Sequence, residues 1–280
     1  MVTQQPKSAG DQENGPGAAT ASAASSGAYV PNTTTQGIAE TSSAASAGSL
    51  PVPVSASALF QLLSTERMAT YAAECVGDLE QAPRLYAWNT AVSAAFWGSF
   101  NILEVTLRNA LDHQLAGLAG RADWWHGENL LRDQESRIVQ DAVRAAKRTH
   151  PDLEIRPGHT VAELTLGFWG GLLANRYHQR LWVPALHRAF PYWHESRREL
   201  HRRLESLRKL RNRVAYHEPI FARKLVADHD QLLDVLEGIA PEAAVWVRQN
   251  SRVPDVLSRR AQIISGSDTT TFLGDNDGYE

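Results

Sequence analysis

Residues 84–117 read RLYAWNTAVSAAFWGSFNILEVTLRNALDHQLAG, and this stretch decides the fold. Its apolar residues recur at intervals of three and four, which is the spacing of one face of an α-helix. No proline interrupts the pattern, so the stretch predicts one long helix. The apolar positions are Phe96, Phe100, Leu103, Leu107, Ala110, Leu111 and Leu115.

Further helical patterns lie on both sides of this stretch. They cover 57–76, about 129–149, about 160–181, 195–217 and 222–247. The third of them is predicted to begin with a capping box, in which Thr160 and Glu163 each bond the backbone N–H of the other. Its glycines Gly167, Gly170 and Gly171 cost helix stability, so we expect them to permit close packing. Because no alternating strand pattern bounded by turn residues is found, the sequence predicts an all-α bundle.

The two ends of the chain differ in composition from the middle. Residues 1–55 are mostly Ala, Ser, Gly, Thr and Gln, and such a segment buries too little apolar surface to offset the entropy of ordering. Residues 263–280 carry four acids and neither Lys nor Arg. We therefore predict disordered segments at both ends and one helical domain over 56–262, which holds all eight Trp.

Charge is divided as unevenly as composition. The 280-residue chain has a formal net charge of −3. The first segment contains one Lys and three acids and the last contains four acids, so 56–262 carries +3 and suits an anionic partner. The single cysteine, Cys75, excludes a disulfide framework. No apolar run reaches the roughly 18 residues of a membrane span, so we expect a cytoplasmic protein.

The most basic segment, Arg197–Lys224, contains the candidate site. It holds ten Lys and Arg and three acids, a local net charge of +7. Its apolar residues follow one another at intervals of four, three and seven residues. The interval of seven skips one position of the apolar stripe, and Arg211 occupies that position. A guanidinium on a core-facing line has to be paired or has to line a cleft, because a bare buried charge is too costly. The apolar stripe consists of Leu200, Leu204, Leu207 and Val214.

His217 follows Arg211 by six residues and lies just before Glu218 and Pro219. A residue before proline disfavours helical backbone, so the helix is predicted to end near His217, with both side chains at one cleft. Histidine suits proton transfer and arginine offers a fork of donors for phosphate. The pair therefore suits RNA cleavage by the ribose 2′-OH, which yields a 2′,3′-cyclic phosphate and a 5′-hydroxyl. A structural ion pair and a helix-capping histidine are the alternative.

The sequence around this pair resembles a known family. Arg211-Asn212, followed after four further residues by His217, is similar to the Arg-Asn-x4-His segment of HEPN ribonucleases, specifically the Abi-like (abortive infection) family. Three other segments resemble that family in the same order, and the similarity spans roughly 60–240. They are Leu85-Tyr-Ala-Trp-Asn89, Leu103-Glu-Val-Thr-Leu-Arg-Asn109 and Leu164-Thr-Leu-Gly-Phe-Trp169.

The resemblance implies a HEPN-like bundle with metal-independent endoribonuclease activity, which acts as a toxin or in phage defence. Arg211 and His217 would be the catalytic pair, Asn212 would orient them, and the site would form at a homodimer or pseudo-dimer interface. An antitoxin or other regulatory partner is a further expectation. The family commonly has His where this chain has Tyr216. That departure favours the alternative function, a non-catalytic helical module that binds RNA or a protein through the basic helix.

Further residues are expected to support the site. Glu104 and Arg108 are one helical turn apart and are predicted to pair, either as an ordinary salt bridge or as polar groups near the cleft, with Asn109 beside them. Tyr216 is expected to contact phosphate, to stack on a base or to pack, and Glu218 is also assigned to the site. The expected RNA-binding cations are Arg208, Lys209 and Arg213.

The remaining sequence features are a set of four aromatic residues and the lack of motifs for a metal or a cofactor. The set Phe96, Trp97, Phe168 and Trp169 is predicted to lie in the core rather than to form a base-stacking platform. No His-Glu-x-x-His, paired-cysteine or phosphate-loop motif occurs in the sequence. We therefore expect neither a metal nor a cofactor.

Overall fold

A computed structural model describes residues 55–128 and 130–270 of the chain. Every regular element in these residues is helical, which confirms the predicted all-α fold. The α-helices are α1 (Ala56–Leu63), α2 (Thr65–Glu74), α3 (Gln81–Ala119), α4 (Asp133–Thr149), α5 (Pro157–Ala162), α6 (Leu166–Gly171), α7 (Arg197–Ala215), α8 (Leu225–Ile239), α9 (Pro241–Asn250), α10 (Val253–Ser258) and α11 (Arg260–Ser265). Short 3₁₀ or π helices lie at Trp124–His126, Asn175–Tyr177, His178–Trp182 and Leu186–Ala189.

The long predicted helix is α3, the central element of the fold. At 1.5 Å per residue its 39 residues extend about 58 Å. Its buried residues recur every three or four positions from Leu85 to Leu115, and α2, α7, α8, α10 and α11 all pack against it. Gly120 ends α3 with a φ of 68°, a left-handed conformation that glycine adopts without a steric penalty. Side chains on α3 therefore meet residues from most of the other described helices.

Two of the predicted helices are divided. The stretch 57–76 breaks at Ser64, whose φ is 68° and whose hydroxyl accepts a hydrogen bond from the Arg67 N–H (3.3 Å) to cap α2. The stretch 222–247 breaks before Pro241, which begins α9. Proline lacks the N–H that would continue the hydrogen-bond ladder of α8.

The segment 160–181 is not one helix. It contains the end of α5, all of α6 and two of the short 3₁₀ and π helices. The predicted capping box is wrong, because Thr160 is buried inside α5 and the helix begins at Pro157, where proline is tolerated. Instead Thr165 caps α6 by accepting a hydrogen bond from the Phe168 N–H (3.4 Å).

The basic helix α7 agrees closely with the predicted 195–217. Ser196 caps its first turn by accepting from the Glu199 N–H (3.2 Å). Leu210 fills the stripe position that was predicted for Arg211, because a helical stripe can step by three as well as by four. Arg211 lies beside the stripe with its side chain 28% exposed. The buried stripe consists of Leu200, Leu204, Leu207, Leu210 and Val214.

Close packing by glycine is found at one of the three expected positions, where α6 meets α7. A Cβ added to Gly167 would lie 3.2 Å from Cδ of Arg208, which is a tight contact. At Gly170 and Gly171 the nearest contacts of an added Cβ begin at 3.9 Å, which is an ordinary separation. The absence of a side chain therefore matters for packing only at Gly167.

The predicted terminal segments fall mostly outside the described residues. Of 1–55 only Ser55 is described, and its hydroxyl caps α1 by accepting from the Ala58 N–H (3.2 Å). The predicted segment 263–280 begins inside α11, where Ile263 is 3% exposed, so the helical domain continues past 262. Residues 271–280 lie outside the described range. None of the described helices is both long and apolar enough to span a membrane.

Candidate functional site

The end of α7 is a Schellman motif with His217 at its left-handed position. The Glu218 N–H donates to the carbonyl of Arg213 (2.8 Å), and the His217 N–H donates to the carbonyl of Val214 (3.1 Å). These bonds satisfy carbonyls that a helix end otherwise leaves free. His217 has a φ of 57°, a conformation that costs a residue other than glycine about 1–2 kcal/mol. The backbone of this histidine is thus fixed in a conformation that its side chain does not favour.

The side chain of His217 is exposed, and no hydrogen bond to its ring is found among the described residues. Its carbonyl accepts a hydrogen bond from Nη1 of Arg67 on α2 (2.6 Å). Three residues later the Ile220 N–H donates to Oδ1 of Asn89, a buried side chain on α3 (2.8 Å). The loop after α7 is therefore attached to both α2 and α3, while the imidazole keeps both of its nitrogens available.

Arg211 is held on two sides. Its Nε donates to Oε1 of Glu104 on α3 (2.7 Å), which meets the predicted requirement that this arginine be paired. Its Cζ lies 5.3 Å from the centroid of the Trp97 ring, which is within range of a cation–π interaction. In the described part of the chain neither Nη nitrogen has a hydrogen bond. The guanidinium is positioned, yet its terminal donors remain free for a ligand.

The predicted pair of Glu104 and Arg108 is not formed. Glu104 bonds Arg211, which is 107 residues away in sequence, and the buried Nε of Arg108 has no hydrogen-bond partner. Asn109, next to Arg108, is exposed. Glu104 thus joins α3 to α7 and orients Arg211, which corresponds to the alternative in which it is a polar group near the cleft.

A groove separates α3 from the end of α7, and we refer to it as the His217 groove. Its volume is about 470 Å³. Trp97 lines this groove as well as stacking on Arg211, and its side chain is 47% exposed. The indole therefore connects the positioned arginine to the groove that contains the histidine. The lining residues are Thr90, Ser93, Ala94, Trp97, Val214, Ala215 and His217.

Trp97 was predicted to lie in the core, and this prediction is wrong. Phe96, Phe168 and Trp169 are buried as predicted, but Trp97 is not. A helix turns by about 100° per residue, so Trp97 points away from the direction of the buried Phe96 beside it. Adjacency alone does not predict this exposure, because Phe168 and Trp169 are also adjacent in a helix and both are buried. Arg67, which donates to the His217 carbonyl, was also missed, and nothing in its local sequence indicates the contact.

The remaining supporting residues make few contacts. Asn212 is half-buried, and no hydrogen bond of its side chain is found among the residues described. Tyr216 is 70% exposed. Glu218 lies 3.5 Å from Arg213, and both side chains are about half exposed. The structure therefore brings Arg211, Glu104 and His217 to one region, whereas the side chains of Asn212 and Tyr216 form no hydrogen bond with any of the three.

The cations predicted to bind RNA are partly neutralised. Arg208 donates to Glu205 at 2.9 Å, and Arg213 donates to the carbonyl of Pro219 (3.3 Å) besides pairing with Glu218. Lys209 is exposed, without a salt bridge in the described part of the chain. Acids from outside the basic segment also pair with its arginines, so the surface is less cationic than +7 indicates. These acids are Glu104, Glu195, Asp228 and Asp234.

Comparisons with protein-family models, with curated proteins and with solved structures give no match. Within residues 55–128 and 130–270 there is also no group of three or more His, Cys, Asp or Glu side chains arranged to hold a metal ion. A functional assignment therefore depends on the geometry of Arg211 and His217 and on the four sequence segments quoted above.

Proposed function

We propose that this protein is a metal-independent endoribonuclease of the HEPN type, with Arg211 and His217 as its catalytic residues. The observation that carries the proposal is the state of Arg211. Glu104 fixes Nε and Trp97 covers one face of the guanidinium, while both Nη groups keep their hydrogens for a ligand. An arginine in this state is preorganised for phosphate oxygens. The exposed ring of His217 borders the groove that Trp97 lines.

In the proposed reaction His217 takes the proton from the ribose 2′-OH as that oxygen attacks phosphorus. The Nη groups of Arg211 stabilise the charge on the phosphorane oxygens. The bond between phosphorus and the 5′-oxygen then breaks, which gives a 2′,3′-cyclic phosphate and a 5′-hydroxyl. The leaving oxygen needs a proton from the side opposite the attacking one. We assign that step to His217 of a second copy, so the active form is a homodimer.

The biological role rests on the four segments that resemble the Abi-like family. Within this proposal the protein is a toxin or phage-defence effector that stops growth by cutting cellular RNA in the cytoplasm. An antitoxin or other regulatory partner would hold it inactive. Because the substrate supplies its own nucleophile, the proposed chemistry requires no metal ion and no cofactor.

The test is RNA cleavage by the purified full-length protein in EDTA, with analysis of the product ends. We expect cyclic phosphate ends from the wild type and a loss of about 10²–10⁴-fold in activity in His217→Asn. Asparagine tolerates a left-handed backbone, so this variant keeps the Schellman motif. The control is His194→Asn, which removes an exposed histidine outside the groove and should cleave normally. Equal cleavage by His217→Asn and the wild type, or cleavage that EDTA abolishes, would contradict the proposal.

A second candidate function is favoured by Tyr216, which is 70% exposed where the family commonly has histidine. In this alternative the chain is a non-catalytic helical module, and Lys209 and the free donors of Arg211 bind RNA without cutting it. It predicts salt-sensitive RNA binding that persists in His217→Asn, with no cleavage products from the wild type.

A further inference from the structure

A second groove lies beside the His217 groove, between α3 and α9. Its volume is about 430 Å³, within the range of small-molecule sites. Trp97 lines both grooves, and Trp246, which is 53% exposed, lines the second. Two half-exposed indoles therefore border one recess that adjoins the candidate catalytic site. We call it the indole groove, lined by Trp97, Trp246, Ser99, Asn101, Asn250 and Ser251 with small and aliphatic neighbours.

Two side-chain amides line the indole groove. Nδ2 of Asn250 donates to the carbonyl of Trp246 (2.8 Å), and its Oδ1 has no hydrogen bond among the described residues. Asn101 is exposed, and its side chain likewise has no hydrogen bond there. An amide offers a donor and an acceptor side by side, which is the pattern that pairs with the edge of a nucleic-acid base.

The hydroxyls of the groove belong to a partly buried hydrogen-bonded chain. Oγ of Ser251 lies 3.2 Å from Oγ of Ser99 and 3.2 Å from Nε2 of His229, and it accepts the Val253 N–H (3.3 Å). Burial lowers the pKa of His229, so this imidazole stays neutral near pH 7. None of the described residues that line the groove has an ionised side chain. The wall is thus polar, fixed and uncharged.

These features match a nucleobase, which is planar, aromatic and uncharged and carries donors and acceptors on its edge. Unpaired bases stack on tryptophan and tyrosine rings, whereas a charged peptide would find no countercharge in this groove. The adjoining cation is Arg211, stacked on Trp97, so a phosphate attached to the base is placed beside free Nη donors. We propose that the indole groove binds the base of the nucleotide next to the scissile phosphate. This inference rests on the proposed nuclease function and names the part of the RNA that the protein reads.

The test measures binding without cleavage, in full-length His217→Asn protein. A short single-stranded RNA and the nucleotides AMP, GMP, CMP and UMP are titrated separately by calorimetry. Adding Trp246→Leu is expected to weaken RNA binding about 10-fold, because one base loses its stacking partner. Adding Tyr192→Leu instead removes an equally exposed aromatic side chain (53%) outside the groove and is expected to leave the affinity unchanged.

A second variant tests the hydrogen bonds rather than the stacking. Asn250→Ala removes one amide and keeps both indoles. We expect its affinities for the four nucleotides to become more nearly equal, because the edge of the base is no longer read. If the order and spread of the four affinities stay the same, this amide does not read the base and the proposal is overturned.

The other outcomes separate this inference from the nuclease proposal. Unchanged RNA affinity in Trp246→Leu overturns the base site, and if that variant also changes from dimer to monomer, the groove belongs to a second copy of the chain. Cleavage that depends on His217 but not on Trp246, in rate or in base preference, also overturns the base site and keeps the nuclease. Nucleotide binding that depends on Trp246, in a wild-type protein that cuts no RNA, supports the base site and overturns the nuclease.

Discussion

Helix α7 carries two arginines that stack on tryptophans, and they differ in how many of their donors are used. Cζ of Arg203 lies 5.0 Å from the Trp193 ring, and its Nε, Nη1 and Nη2 all donate to carboxylates. Arg211, about two turns later, stacks on Trp97 and bonds only Glu104, through Nε. The three carboxylates around Arg203 are Glu199, Asp234 and Glu195.

The comparison separates a structural arginine from one that can bind a ligand. Arg203 is 15% exposed and each of its three nitrogens already donates to a carboxylate, so its role is to hold α7 to neighbouring segments. Arg211 is 28% exposed and keeps two terminal nitrogens. Both lie on one basic helix, and a count of positive charges does not distinguish them. The two arginines differ in how many carboxylates they bond, which is three for Arg203 and one for Arg211.

The largest expected effects come from removing each arginine in turn. Arg211→Ala should lower RNA cleavage by about 10²–10³-fold, because a donor to the transition state is lost, and should change the free energy of unfolding little. Arg203→Ala should lower the free energy of unfolding by about 2 kcal/mol and leave cleavage nearly unchanged. Cleavage rates and urea unfolding check both. If both variants lose stability and keep cleavage, the distinction between the two arginines is wrong.

The next effect concerns the carboxylate partner of each arginine. Glu104→Gln keeps an acceptor for Nε of Arg211 but removes the charge, and we expect kcat to fall about 10-fold while KM changes less. Glu199→Gln makes the same change beside Arg203 and should leave kcat unaltered. Steady-state kinetics on a defined RNA measures the split. Equal kcat values for the two variants would remove Glu104 as a positioning residue.

Local periodicity was enough to predict the fold class and the approximate limits of α3 and α7. It could not predict which cation pairs with Glu104. Arg108 lies one turn away on the same helix and fits the spacing of a local pair, whereas the actual partner, Arg211, is brought close only by the packing of α7 on α3. The position of Leu210 was missed for a related reason, since a stripe that steps by three or by four has two continuations after Leu207.

The region 157–189 is the one whose structure was predicted least well from the periodicity of its sequence. Helical periodicity predicted one helix over about 160–181, yet the region forms short α, 3₁₀ and π segments. Tertiary contacts decide this outcome. One of them is the buried carboxylate of Glu135 on α4, which accepts from the Tyr177 hydroxyl and from Nη2 of Arg176, both at 2.6 Å. Such contacts override the weak local preference for helix.

A smaller effect concerns the stability of the C-terminal end of α7. His217→Gly relieves the left-handed strain at the Schellman position, and we expect the free energy of unfolding to rise by about 1 kcal/mol. Cleavage should be lost as in His217→Asn. Thermal unfolding together with the cleavage assay measures both quantities. If the glycine variant is less stable than the wild type, the histidine side chain stabilises the end of α7 by more than its left-handed backbone costs.

The smallest effect contrasts the exposed His217 with the buried His229. Burial lowers the pKa of His229 below its ordinary value of 6.5. Below about pH 6.5 the unfolded chain therefore binds a proton that the folded chain does not, and this group lowers stability as the pH falls through that range. His229→Gln should flatten the dependence between pH 7.5 and pH 5.5, as measured by urea unfolding at each pH. An unchanged dependence would assign it to other groups.

The regular geometry of α3 fixes the angle about the helix axis between the two residues that hold Arg211. Trp97 and Glu104 are seven residues apart, which is two helical turns less about 20°, so both lie on one side of the rod and both reach Arg211. One residue inserted between them would rotate Glu104 by about 100° relative to Trp97 and place the two contacts of the arginine on different sides. The site therefore depends on the angle between Trp97 and Glu104 about the axis of α3. Between these two residues, insertions and deletions are tolerated only if they are close to a whole number of helical turns.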